Sequence, residues 1–225
     1  MMSLKKAAKE IERDQIYARI KRVNWIFMAE RIETELKKIK IDTLSESKLG
    51  NLYLSKSDNH LMERRRLLSY QYINSIHIYT GNRLLDLFIP NKDETDVMIA
   101  RERNAQLWYS QGPSGEVIVF VSPYESDLGK FDENEIIIGK YTNPYQINEA
   151  VIIKHFSIFF KYCVCTSQHS AAKFTHYFYR QYLIFNDFRY RSTYIKKFIR
   201  NGERVVLVAF TVAAVLVAIY LKGSN

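Results

Sequence analysis

The sequence predicts an α+β fold: long N-terminal helices, a small antiparallel β-sheet, then helices leading into a single C-terminal transmembrane helix. Three observations predict it. The first forty residues place apolar side chains at helical spacing. The middle of the chain changes to a period of two around the turn sequence GPSG at 112–115. The run 205–221, VVLVAFTVAAVLVAIYL, carries no charge and is bracketed by Arg204 and Lys222.

Residues 3–40 read as a long helix. Ser3 suits the N-cap, and the body is rich in Lys, Glu, Arg, Ala and Ile. Ile16, Ile20, Val23 and Phe27 follow a 4-3-4 spacing, the mark of a packing seam. Residues 41–57 read as a loop with a short helix. A second helix is expected over 58–80, stopped near Gly81, and 81–104 as a polar connector with an apolar patch ended by Pro90. Strands are expected at 106–111, 116–122 and 135–141. The near-continuous apolar EVIVFVS fits a strand covered on both sides. Asn143-Pro144 signals a helix start. Residues 145–165 then fit a helix by stripe and a strand by the β-branched run 151–153, and both readings stand. A third long helix is expected over 170–200, dense in Phe and Tyr interleaved with Arg and Lys. The domain expectation is 1–104 helical, 105–200 sheet plus helices, with one cytoplasmic domain over both as the alternative, and 201–225 as the anchor.

The uncharged run would cover roughly 26 Å as a helix, against a hydrocarbon core of about 30 Å. Arg204 and Lys222 can reach outward to headgroups. Arg200, Lys196, Lys197, Tyr194 and Phe198 precede it and complete an expected membrane-interface set. The excess of cations before the run, with only Lys222 after it, predicts a cytoplasmic N-terminus at the inner membrane. MMSLKKAAKE lacks the apolar core of a signal peptide, so a tail anchor is expected. Ala209 and Ala213, and Ala214 and Ala218, form two small-xxx-small pairs suited to close helix association.

The formal charge is +9, and the chain holds 16 Tyr and 13 Phe. Low Gly and Pro content excludes a low-complexity protein. Two cysteines, Cys163 and Cys165, and five scattered histidines provide no zinc spacing. No G-x-S-x-G elbow or phosphate-binding Gly loop occurs. No catalytic residue, metal site or cofactor is therefore expected. Arg64, Arg65 and Arg66 are the densest charge run and the candidate ligand-binding group, for a phosphate or headgroup.

The expected function is that of a tail-anchored membrane protein with a cytoplasmic sensing or binding domain. Its domain order is similar to that of bacterial membrane effectors in anti-phage systems, where a cytoplasmic domain controls a membrane-disrupting segment. That resemblance implies oligomerisation and membrane disruption. The alternatives are a membrane-tethered scaffold for a cytoplasmic protein partner and a membrane-bound nucleic-acid-binding protein or nuclease. Expected partners are the lipid bilayer and either a second copy or a cytoplasmic protein; nucleic acid is the less favoured partner.

Overall fold

The computed structural model describes residues 2–57, 74–90, 97–131, 133 and 135–190. The chain divides into two units, Met1–Leu183 and Ile184–Asn225. The first begins with α1, Leu4–Ile39. Ser3 caps it by accepting from the Lys6 amide at 3.3 Å, and Lys37 and Lys38 sit in the last turn, where the helix dipole favours cations. A short helix α2, Thr43–Leu49, starts at Asp42, whose carboxylate accepts from the Ser45 amide, and ends at Gly50 in the left-handed region.

Among the described residues eight strands follow: β1 Leu52–Lys56, β2 Ser75–Thr80, β3 Arg83–Pro90, β4 Val97–Arg103, β5 Gln106–Gln111, β6 Val117–Ser122, β7 Glu125–Ser126 and β8 Ile136–Tyr141. They form a five-stranded antiparallel sheet in the order β1-β2-β5-β6-β8 and a three-stranded one in the order β3-β4-β7. Strict alternation in β2, β5 and β6 separates the two faces of the larger sheet. Ile76, Ile78, Leu107, Tyr109, Val119 and Val121 point into the core, all buried. The opposite face carries His77, Trp108 and Phe120, stacked across three strands with centroids 5.9 and 4.9 Å apart.

A one-turn 3-10 helix, Pro144–Gln146, is closed by a capping box on Asn143. It leads to α3, Glu149–Thr166, which Asn148 caps at the Val151 amide. Ile152, Phe156, Phe159 and Cys163 recur at helical spacing and are buried. That stripe outweighs the β propensity of 151–153. The core lies where α1 and α3 cover the sheet. From α1 it receives Trp25, Met28, Ile32 and Leu36, each worth about 1.5–3 kcal/mol when buried. The β5–β6 turn meets α1 closely: a Cβ on Gly115, whose φ is +79°, would stand 2.5 Å from the Lys21 Cβ. The helix α4, Phe174–Asn186, follows, and helical backbone resumes at 188–190.

Several expectations are corrected. The helix expected over 58–80 is a strand over its last six residues, β2; residues 58–73 lie outside the described residues. Ser75, His77 and Tyr79 alternate with buried Ile76, Ile78 and Thr80, a period of two that the apolar content had masked. The polar connector 81–104 is instead the hairpin β3–β4, with buried Leu85, Ala100 and Glu102. The small sheet is two sheets. The expected final helix starts at Phe174, because 167–172 form turns, and is interrupted at Asp187; 188–190 are helical again and 191–200 lie outside the described residues.

The expectation of a transmembrane helix is corrected with them. The observed fold is a helix, then antiparallel sheets with further helices, and among the described residues no helix is long and apolar enough to cross a membrane. At thirteen residues α4 is about 20 Å long, short of a bilayer core. It also carries a buried ion pair on its inner side. The run 205–221 lies outside the described residues.

Candidate functional site

The aromatic helix α4 presents two different sides. Its inner side is fixed to the first unit by Arg180, Tyr179 and Leu183. Arg180 makes a two-point pair with Glu133, Nη2 to Oε2 at 2.8 Å, and its guanidinium lies 4.3 Å from the Phe131 ring centroid. Lys161 from α3 places its ammonium 4.0 Å from the Tyr179 ring. The Arg180–Glu133 pair is strong because it is largely withdrawn from water, whereas Lys161 is exposed. Leu183 is buried.

The outer side holds Phe174, Tyr177, Phe178 and Tyr182, which are 74%, 50%, 53% and 62% exposed. At about 100° per residue these four fall within one side of the helix. The rings order one another: Phe174 and Phe178 meet edge to face at 4.4 Å, and Tyr177 meets Phe178 at 5.8 Å. Lys173 is exposed at the start of the same helix. A contiguous exposed aromatic surface on a folded unit marks contact with another molecule or a lipid interface. In the second unit Phe188 and Tyr190 are exposed, and Arg189 pairs with the buried Asp187 at 2.9 Å.

Two grooves offer other possibilities. One, of about 630 Å³, lies between α1 and the start of α3, beside Phe27, Glu30, Lys38 and Tyr145. Three of its charges are engaged with one another: Lys38 bonds Glu35 at 2.6 Å and Glu149 at 3.1 Å. The other, of about 420 Å³, lies at the strand ends beside Arg103, Asn104, Tyr124 and Glu125. Asn104 donates to Glu125 there at 3.0 Å, and the Tyr124 hydroxyl donates to the Leu49 carbonyl at 2.8 Å. Neither groove brings together a nucleophile, a base and an oxyanion donor.

A buried polar cluster sits beneath the sheet. His155 of α3 has Tyr109 Oη at 3.1 Å from Nδ1 and Tyr141 Oη at 2.9 Å from Nε2. Burial, reinforced by the Lys154 charge, pushes its pKa down to about 4, and burial pushes the Tyr109 phenol up. The imidazole is thus neutral, donating to one phenol and accepting from the other. Both nitrogens are occupied and the ring is 1% exposed, so the cluster holds α3 to β5 and β8. Sequence reading passed over it; the signal was a histidine set in an otherwise apolar helical stripe.

Other histidines serve the backbone. His169 Nε2 lies 3.1 Å from the Leu85 carbonyl and His176 Nδ1 lies 2.8 Å from that of Ser170. Among the described residues no group of three potential metal donors forms. Cys163 and Cys165 are buried and unpaired with each other, and burial raises the Cys163 thiol above its ordinary range. The expected ligand-binding residues Arg64, Arg65 and Arg66 lie outside the described residues. So do the expected interface set Lys196, Lys197, Tyr194, Phe198, Arg200, Arg204 and Lys222, and the alanines 209, 213, 214 and 218. The aromatics that stand on the described surface precede that set on α4. No protein-family model, curated protein or solved structure matches the chain.

Proposed function

We propose that the protein is a membrane-associated binding module, whose folded unit meets the headgroup region of an anionic bilayer through the outer side of α4. The observation that carries this is the line Phe174, Tyr177, Phe178 and Tyr182, exposed on a helix whose other side is locked to the fold. Phenol and phenyl rings favour the boundary between headgroups and acyl chains. The sequence that follows supports the same reading. Arg191, Lys196, Lys197, Arg200 and Arg204 attract anionic lipid. A net charge of +9 draws the chain toward a negative surface.

The test is a spin label at Phe178→Cys on the full chain in vesicles containing anionic lipid, with Glu149→Cys as the control. Both native cysteines are buried. The label at 178 is expected to collide with oxygen in preference to a water-soluble nickel chelate, and the label at 149 the reverse. Equal access of the chelate to both positions would remove lipid as the partner of α4.

A further inference from the structure

The seam Ile16, Ile20, Val23 and Phe27 is left uncovered by the described residues. These residues are exposed, Ile16 and Phe27 by 51% and 57%. The side of α1 that meets the fold is the opposite one. Ala18 and Lys21 approach Gly115, Arg22 donates to the Pro113 carbonyl, and Trp25, Ala29 and Ile32 are buried. At about 100° per residue the four seam residues centre half a turn from that buried stripe. The helix therefore has two apolar sides and one occupant.

We infer that the second side binds α1 of a second copy of this chain, antiparallel. The spacing 4-3-4 alternates the two core positions of a heptad. In the antiparallel arrangement Ile16 faces Phe27 of the second copy and Ile20 faces its Val23. Symmetry then makes four apolar layers from four residues. The next layer at each end places Arg13 against Glu30 of the second copy. One step outside it, Glu10 stands near Arg31 of the second copy. Both Arg13 and Glu30 are exposed, and the ion pairs of Arg13 within its own helix are long, 3.6 Å to Glu10 and 3.7 Å to Asp14. A parallel pairing would oppose Arg13 to Arg13 and Glu30 to Glu30. The seam is thus bounded by a cation at one end and an anion at the other, which complements itself only when the second helix is reversed. A lipid surface would instead favour cations at both ends.

Three cysteine variants of the full chain, purified in mild detergent and oxidised, test the arrangement. The double variant I16C/F27C is expected to form a disulfide-linked dimer. I16C alone and F27C alone are not, because eleven residues separate these positions, about 16 Å along the axis. On the double variant, adding R13E is expected to lower the linked yield about tenfold or more, and adding E30R as well to restore it. The substituted positions are on the surface, so the fold itself is not at stake. Linkage of I16C with itself would show a parallel pair, and absence of linkage in I16C/F27C would show that the seam is not a dimer interface. Either result overturns the inference, as does a charge reversal without rescue. None of these outcomes depends on lipid contact at α4.

Discussion

At the residue scale, His155 ties stability to pH. Its folded pKa is about 4, below the ordinary value near 6.5 because the charged form is desolvated. Between these values the unfolded chain binds a proton that the folded chain refuses. Stability contributed by the neutral ring is therefore complete above pH 6.5 and is lost as pH falls toward 4. At about 1.4 kcal/mol per unit the loss reaches about 3 kcal/mol. Urea unfolding of the wild type and His155→Gln across pH 7 to 4.5 should show a steeper decline in the wild type; parallel curves would assign the burial no such role. The neighbouring phenols separate satisfied from unsatisfied hydroxyls. Tyr109→Phe leaves one imidazole nitrogen without its partner and should cost about 1–3 kcal/mol. The Tyr162 hydroxyl is buried with no hydrogen-bond partner among the described residues. Tyr162→Phe should therefore be neutral or stabilising, by up to about 1 kcal/mol. Thermal melts of the two variants side by side decide this, and equal losses would contradict it.

At the element scale, the contact between α1 and the β5–β6 turn depends on Gly115. Its φ of +79° disfavours a side chain, and an added Cβ would meet Lys21. Gly115→Ala should destabilise by about 1–3 kcal/mol, read as a lower denaturant midpoint, whereas Ser114→Ala should leave it nearly unchanged. This turn was legible in the sequence because GPSG separates two alternating runs. α1 was legible as well, down to its Ser3 cap, since its propensity and period agree. β2 was not. SIHIYT lies in a stretch that satisfies a helical template loosely, and only pairing with β1 and β5 makes its period of two decisive. The β3–β4 hairpin was hidden for the opposite reason: Arg83, Asp86 and Glu102 made it look like a connector. Glu102 is tolerated in the interior because Arg83 pairs with it at 3.2 Å and the Gln168 amide donates to it.

At the scale of the whole molecule, two surfaces remain uncovered by the chain's own core, one on α1 and one on α4. The sequence announced both as apolar stripes, yet periodicity alone cannot say whether a stripe faces inward or outward. The α1 stripe read as a packing seam without a stated side, and its residues are exposed. The α4 aromatics read as membrane interface or packed core, with a nucleic-acid platform less favoured, and the exposure of Phe174, Tyr177, Phe178 and Tyr182 counts against packed core. The spin-label comparison and the cysteine linkage then address the two surfaces separately. The five-stranded sheet carries the row His77, Trp108 and Phe120 on the face opposite the core. Those rings sit on directly paired residues of β2, β5 and β6. A slip of any of these strands by a single position would swing its ring to the other side and leave its neighbours stacked on nothing. The row therefore keys the strands to one another like teeth in a lock, and the site where α1 rests on the β5–β6 turn inherits its position from that alignment.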